Sequence, residues 1–192
     1  ETKDPAVLRK YLNYLSRYDT PASLAAYATS TRNGPDCDIL FDYILLLKSV
    51  GNFTRALDET TILLSCSQDP VYRLVQADLL AALGRHEEAL ASYETLVREE
   101  LGSKNDLDTL GLIIGKYRRY LMSRLPADSA TGRFLSIVSR DVNVASLLET
   151  ARLYEDLNNE SEARAWYYRA YRTDYLSGGL AYARFLLAHG ED

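Results

Sequence analysis

Several residue types that carry out chemistry are scarce in this 192-residue sequence, which has two histidines, two cysteines, one methionine and one tryptophan. A metal site needs several ligands at fixed spacing, and neither His86 nor His189 has a second histidine four residues away on the same helix. A nucleophilic thiol needs an activating base, and none can be assigned to Cys37 or Cys66. We therefore expect no metal and no cofactor, and predict that the chain is not an enzyme.

Long apolar runs and basic clusters are also missing. No stretch of about 18 apolar residues occurs, so we expect no membrane insertion. The net charge of -5 disfavours a nucleic-acid partner, because such a partner requires a basic stripe. The largest basic group, formed by Lys116, Arg118 and Arg119, is interpreted as the solvated face of a helix. The chain begins without Met, so we expect a processed chain or part of a longer protein; the compartment stays open, with the cytoplasm favoured.

Tyrosine is the residue type in excess, with 15 Tyr against 4 Phe. A tyrosine packs its apolar ring at a helix interface while its hydroxyl stays wet or hydrogen-bonded. This composition favours many thin helix contacts over one deep core.

A pattern of turn-forming and small residues recurs along the chain. Gly51 and Gly84 are 33 residues apart, and so are Ala56 and Ala89. The glycine ends one helix with a left-handed turn, and the small residue lets the next helix approach closely. Asn158 takes the glycine position near the C-terminus, since Asn also tolerates that conformation. Such a period indicates stacked units of two helices each.

The clearest copy of the pattern is the segment LETARLYEDLNNESEARAWYYRAY. Its signature positions are occupied, in order, by Ala151, Tyr154, Asn158, Ala163, Tyr167 and Ala170. This segment resembles the tetratricopeptide repeat (TPR). The resemblance implies an all-α fold, a right-handed α-solenoid of stacked antiparallel helix hairpins, in a single domain spanning residues 1–192. The predicted units are 4–36, 37–69, 70–103, 104–143, 144–175 and a half unit at 176–192.

The unit predicted at 104–143 is longer than the others. An insertion around MSRLPADS lengthens its first helix or the turn that follows, and Pro126 is expected to end that helix. Within the same helix, GLIIG is interpreted as a pair of small sites for close helix packing.

The resemblance also implies where a partner would bind. In this family the first helix of each unit, the A helix, lines a concave groove that holds a protein ligand, and the second, the B helix, lies on the convex face. The chain is thus expected to be a protein–protein interaction scaffold that binds a partner peptide or helix. The implied groove residues are Phe41, Leu45, Lys48, Leu74, Asp78, Leu112, Lys116, Glu149, Arg152 and Arg184. Further positions in the same frame are Leu8, Arg9, Leu12, Asp42, Asp108 and Asp156.

The kind of partner is restricted by a departure from the family. Chaperone-binding members hold a peptide carboxylate with Lys, Asn and Arg, where this chain has Phe41, Leu45, Leu74 and Asp78. We expect no carboxylate clamp, and an apolar segment or helix fits the groove better.

Two alternatives to the scaffold remain open. One is a regulatory or substrate-docking segment of a larger enzyme, and the other is a self-associating structural element. The half unit favours association through the C-terminal edge, because the apolar side of Leu186 and Leu187 lacks a following helix. The aromatic segment AWYYRAYRTDY is interpreted mainly as packing against Tyr182 and Phe185, with a partner surface as the alternative.

Two further features bear on the compartment. Cys37 and Cys66 fall at adjacent ends of one predicted hairpin, so geometry permits a disulfide, but two reduced packing residues are the favoured interpretation. The sequences NFT at Asn52 and NES at Asn159 are glycosylation acceptors only in a secreted eukaryotic chain. The favoured interpretation is that these asparagines are ordinary turn residues.

Overall fold

The structure is a computed structural model that describes residues 4–31, 36–103, 106–139 and 143–190. Within these ranges the chain forms eleven α-helices and no strand, which confirms the all-α prediction. The chain divides into two compact units, residues 1–92 and 93–192. The single domain and its six repeats stay a prediction, and the predicted boundaries at 104 and 192 lie outside the described residues.

The first unit contains α1 (Pro5–Tyr18), α2 (Thr20–Ser30), α3 (Cys37–Ser49), α4 (Phe53–Cys66) and α5 (Pro70–Ala82). Helix α6 (His86–Leu101) crosses the boundary between the units. The second unit contains α7 (Leu107–Arg124), α8 (Ala127–Val138), α9 (Val144–Asp156), α10 (Glu160–Thr173) and α11 (Ser177–Ala188). Consecutive helices pack in pairs, α1 with α2 and α3 with α4 in the first unit, α7 with α8 and α9 with α10 in the second.

Helix α7 absorbs the predicted insertion. It has 18 residues, whereas α3, α5 and α9 have 13 each. Leu125, the residue before Pro126, is extended, because a proline disfavours the helical conformation of its predecessor. The extra residues therefore lengthen the first helix of the pair, and the chain turns at the proline as expected.

An acidic or amide side chain caps the first helix of each of the first five pairs. The caps are Asp4, Asp36, Asp69, Asp106 and Asn143. Each side-chain oxygen accepts a hydrogen bond from a backbone N–H in the first turn, with N···O distances between 2.8 and 3.2 Å. Such a bond satisfies a donor that has no partner within the helix, and typically contributes about 1 kcal/mol.

The turns within the helix pairs repeat one backbone geometry. Gly51, Gly84 and Asn158 have φ angles of +77°, +75° and +54°. The N–H of the following residue donates to a carbonyl in the last turn of the preceding helix, at 2.9, 3.0 and 2.8 Å. This left-handed helix end is the one predicted from the recurring Gly and Asn, and Asn158 adopts it without being a glycine.

The predicted small residues lie at close helix contacts. Ala56, Ala89 and Ala163 are fully buried, and so is Ala130, the small residue at the matching place in α8. Four residues further on, an aromatic side chain is buried in most copies, but Thr60 takes this place in α4. The small side chain permits the close approach, and the larger one fills the space beside it.

Two buried tyrosines, Tyr27 and Tyr117, have hydrogen-bonded hydroxyls, as the abundance of tyrosine indicated. The hydroxyl of Tyr27 donates to Oδ1 of Asn13 at 3.0 Å, and the hydroxyl of Tyr117 donates to Oε1 of Glu94 at 3.2 Å. Burial raises the pKa of Tyr27 to about 12 and also raises the pKa of Tyr117. Both rings therefore pack as neutral phenols whose hydroxyls are satisfied.

Candidate functional site

A groove with a volume of about 420 Å³ opens between α7 and α9 in the second unit. Its apolar part includes Leu112 and Leu148, and its charged part includes Asp108, Arg119 and Arg152. The complete lining is Leu107, Asp108, Gly111, Leu112, Gly115, Arg119, Val144, Ala145, Leu148, Glu149, Arg152 and Ser177. The groove thus combines an apolar surface with charges of both signs.

A buried ion network lies at the base of this groove. The carboxylate of Glu149, a residue that is 3% exposed, accepts a hydrogen bond from Nε of Arg118 at 3.0 Å and a closer one from Arg152. Arg118 also pairs with Asp156. Two buried charges are tolerated here because each has an opposite charge and hydrogen bonds.

Glycine creates the space for this network. A Cβ atom added at Gly115 would lie 3.0 Å from Oε2 of Glu149, and one added at Gly111 would lie 3.9 Å from Cβ of Ala145. The interpretation of GLIIG as small sites for helix packing is therefore supported by the contact of α7 with α9.

The network holds the guanidinium group of Arg152 through its ion pair with Glu149, while part of the arginine side chain stays in solvent. This side chain is 47% exposed, whereas that of Glu149 is 4% exposed. Because the ion pair restricts the guanidinium, Arg152 is preorganised at the edge of the groove. A preorganised charge loses less conformational entropy when a ligand binds.

The predicted groove residues of the second unit only partly coincide with this lining. Leu112, Glu149 and Arg152 line the groove, and Leu112 is 44% exposed. Lys116 and Arg184 are not among the lining residues, and Glu149 is buried by its ion pairs rather than presented to solvent.

Sequence reasoning missed Arg118 and Leu148 as components of the site. The prediction that Arg118 lies on a solvated helix face is wrong, because this residue is 6% exposed and pairs with Glu149. Its burial results from a carboxylate on another helix, which no local pattern around residue 118 reveals.

The predicted residues of the first unit lie between neighbouring first helices. The rings of Phe41 and Tyr72 are in contact, with centroids 4.8 Å apart, and Nζ of Lys48 lies 2.8 Å from Oδ2 of Asp78. Both contacts join α3 to α5. Lys48 and Asp78, both groove candidates, thus form an ion pair with each other.

Arg9 makes a similar bridge between α1 and α3. Its Nε and a terminal nitrogen donate to the two carboxylate oxygens of Asp42 at 2.6 and 3.0 Å. A further bond reaches Asp38 at 3.0 Å, where the arginine side chain is 39% exposed. The bidentate geometry suits a guanidinium, but its exposure to water limits its contribution to stability.

A smaller pocket of about 260 Å³ lies among α1, α2 and α3. Leu45, which is 41% exposed, lines it together with Asn13, Tyr27 and Asp42. Among the groove residues predicted in the first unit, Leu45 is thus the apolar residue that is exposed.

Two apolar candidates are corrected by their burial. Leu74 is 3% exposed and Leu12 is 0% exposed. Both side chains are buried in the interior of the protein, so a partner could not contact them. Both residues are therefore removed from the candidate surface.

Cys37 and Cys66 form a disulfide, with Cα atoms 6.2 Å apart. The favoured interpretation of two reduced packing residues is therefore wrong. The first residue of α3 and the last residue of α4 come together because the two helices pack antiparallel. The bond closes a segment of the chain that contains both helices.

A second buried carboxylate lies in the same unit as the groove, on α6. Glu94 accepts hydrogen bonds from Nε of Arg133 at 2.5 Å, from Arg98 at 3.1 Å and from the hydroxyl of Tyr117. Burial by itself raises the pKa of Glu94, but the hydrogen bonds and charges of the two arginines outweigh it and hold the pKa below its ordinary value. This cluster joins α6, α7 and α8 and is not part of the groove lining.

The described ranges contain no group of three or more His, Cys, Asp and Glu side chains arranged to hold a metal ion. In the same ranges, no helix combines the length and apolar character that crossing a membrane requires.

The helix arrangement has counterparts among solved structures. The C-terminal part of a TPR repeat-containing protein from Cytophaga hutchinsonii is similar over 95% of this chain and 71% of that one, with a TM-score of 0.55 and 12% sequence identity. The chain has a tetratricopeptide-repeat fold. A thermophilic TPR protein from Thermus thermophilus is similar over 94% of this chain and 96% of that one, with a TM-score of 0.49 and 19% identity. No protein-family model matches the sequence, and the search of curated proteins found no match.

In the predicted repeat frame, α7, α9 and α11 are the A helices of the second unit. All the lining residues of the groove lie on these three helices, and none lies on α8 or α10. The TPR signature aromatic Tyr167 lies against Phe185, with ring centroids 5.1 Å apart, as expected for the aromatic segment.

Proposed function

We propose that this TPR chain is a non-catalytic scaffold for protein–protein interaction, which binds a partner peptide or helix in the groove between α7 and α9. The observation that carries the proposal is the composition of the groove. Its lining comes from A helices, and it holds exposed apolar side chains beside charged ones.

The apolar side chains would supply most of the binding free energy. Leu107 is 47% exposed and Leu112 is 44% exposed. Complete burial of a fully exposed leucine contributes about 1.5–3 kcal/mol, so covering the half that is still exposed contributes about 1 kcal/mol for each residue. An apolar partner segment that covers both would remove this surface from water.

The charged side chains would determine orientation. Asp108 lies in the first turn of α7, whereas Arg119 and Arg152 lie further along α7 and α9. A partner with a basic group at one end of its apolar segment and an acidic group at the other matches this order. Rim charges of this kind set register and association rate more than affinity.

The test is an affinity measurement on a matched pair of variants. Leu112→Glu places a charge in the groove, and Ile62→Glu places the same charge on α4, where Ile62 is 48% exposed and lines neither pocket. A partner captured with the unmodified chain is purified and titrated against each variant. We expect Leu112→Glu to raise Kd about tenfold or more, and Ile62→Glu to leave it unchanged.

Circular dichroism must show both variants to be as helical as the parent chain. Equal affinity of the parent and Leu112→Glu would exclude this groove as the binding surface, whatever the partner is.

Self-association is a second candidate function, favoured by the exposed face of α11. Leu176, Leu180 and Leu187 are 79%, 55% and 70% exposed. Light scattering of the chain measures this directly, and a dimer that dissociates in the variant Leu180→Glu/Leu187→Glu would support it. A monomer at every concentration would exclude it.

A further inference from the structure

We propose that Asn52 is an N-glycosylation site and that the chain matures in an oxidising secretory compartment. This inference is independent of the scaffold proposal. It rests on the disulfide of the first unit and on the surroundings of one sequon.

The disulfide restricts the compartment. Cys37 and Cys66 are bonded to each other, and the described residues include no unpaired cysteine. Structural disulfides form and persist in secreted proteins and in the lumen of secretory compartments, and are rare where glutathione and thioredoxin keep thiols reduced. The expectation of a cytoplasmic chain is therefore replaced by an oxidising environment.

In a secretory compartment the sequon can act as a glycosylation acceptor. Asn52, Phe53 and Thr54 match the acceptor sequence, and Asn52 and Thr54 are both exposed. Asn52 lies in the turn between α3 and α4, Phe53 and Thr54 begin α4, and the disulfide joins the other ends of these two helices. Both features therefore belong to one helix pair.

The side chain of Asn52 has no role in capping its helix. Asn52 is the N-cap of α4 but makes no side-chain cap hydrogen bond, in contrast to the Asp and Asn caps of α1, α3, α5, α7 and α9. Replacing Asn52 by another residue would therefore cost little stability through capping. Attaching a glycan to its amide displaces no cap bond.

The position also leaves the pockets open. Asn52 lines neither the pocket among α1, α2 and α3 nor the groove between α7 and α9. The left-handed Gly51 directs the chain around a tight turn at this point, so the carboxamide lies at the tip of the hairpin. A bulky, solvating group is accommodated best at such a place.

The modification is a transfer from a lipid-linked oligosaccharide diphosphate. Nδ2 of Asn52 forms a bond to C1 of the first sugar, and the bond from C1 to the diphosphate oxygen breaks. The lipid diphosphate leaves with the electron pair, and the proton lost from Nδ2 passes to a base of the transferase. No oxidation or reduction takes place.

Mass spectrometry of the protein isolated from its own cells tests the assignment. Trypsin releases Asn52 in the peptide 49–55 and Asn159 in the peptide 153–164. Digestion with a peptide N-glycosidase in water labelled with ¹⁸O converts a glycosylated asparagine to a labelled aspartate. We expect the label in peptide 49–55, and we expect peptides 33–48 and 56–73 to be joined before reduction.

Recovery of peptide 49–55 only in its unlabelled form would overturn the proposal, even if the disulfide is present. A label on Asn159 alone would also overturn it, because it would show an active transferase that does not use Asn52. In the same cells, Thr54→Ala should abolish the label in peptide 49–55 and Thr54→Ser should retain it. Labelling that persists in Thr54→Ala would show that the sequon is not what is recognised.

Discussion

The two units differ in how they connect their first helices. In the first unit, ion pairs at the surface join α1 to α3 and α3 to α5, and a covalent bond closes one helix pair. In the second unit, an ion network buried beneath the groove joins α7 to α9. Both units place ion pairs between their first helices, but only the second buries both partners of a pair, Arg118 and Glu149.

The difference matters because burial changes the energetics of a charge. An exposed ion pair contributes little, since water solvates the separated ions almost as well. A buried ion has no such alternative, so losing its partner leaves a charge that is expensive to keep. The first unit should thus depend on its disulfide and its core, and the second on complete pairing of its charges.

Removing the central arginine of the buried network should have the largest effect. Arg118→Met leaves Glu149 without its partner from α7, and should lower the free energy of unfolding of the second unit by about 3–5 kcal/mol. Arg9→Met in the first unit should cost less than about 1 kcal/mol, because the arginine side chain is 39% exposed and water can solvate the separated ions. Urea unfolding gives both values, and amide hydrogen exchange assigns each loss to its unit. Equal losses would refute the comparison.

Reduction of the disulfide should be the next largest effect. The Cys37–Cys66 bond spans a sequence separation of 29 residues, and closing a loop of this length stabilises a protein by about 3–4 kcal/mol. A reductant should therefore destabilise the first unit and leave hydrogen exchange in the second unchanged. The double variant Cys37→Ala/Cys66→Ala should not respond to the reductant. A response of that variant would mean that the reductant acts elsewhere.

A smaller effect is expected at the contact of α10 with α11. A Cβ atom added at Gly178 would lie 2.3 Å from the carbonyl group of Ala170, so Gly178→Ala should cost about 1–3 kcal/mol. Gly132, also in the second unit, has nothing within 4 Å of such an atom, and Gly132→Ala should stabilise α8 by about 0.5–1 kcal/mol. Thermal unfolding distinguishes the two, and stabilisation by both substitutions would show that helix propensity, not packing, decides.

The smallest expected effect is a pH dependence. The pKa of Glu94 is lowered in the folded state, so its ionisation stabilises the second unit above the ordinary carboxyl pKa, and this stabilisation is lost as the pH falls through the lowered value. Glu94→Gln should flatten the decline in stability at acidic pH. Glu88→Gln, which removes an exposed ion pair with Arg85, should change the decline less. Unfolding curves at several pH values provide the comparison, and identical slopes in both variants would contradict it.

Local features of the fold could be predicted from the sequence because their causes are local. Gly51, Gly84 and Asn158 end helices through their own backbone conformation, and Pro126 acts on the residue directly before it. The close helix contacts at Ala56 and Ala163 could be predicted for a similar reason. A small side chain permits close packing whatever the partner helix is.

The candidate site was less predictable because it depends on contacts between distant helices. The repeat frame identified Glu149 and Arg152 but not the buried Arg118, whose partner lies 31 residues further along the chain. It also placed Leu74 on the surface, whereas packing in the folded chain leaves this residue 3% exposed. The bond between Cys37 and Cys66 likewise depends on the separation of two helix ends, which a sequence does not display.

The position of the lone tryptophan has a practical consequence for spectroscopy. Trp166 lies on α10, packs against the core cluster that contains Tyr167 and Phe185, and has the guanidinium of Arg169 4.4 Å from its ring centroid. Its indole emission therefore reports on the second unit, while the first unit contributes tyrosine signals alone. With excitation selective for tryptophan, the emission of Trp166 should report the unfolding of the second unit during a titration, without an engineered label.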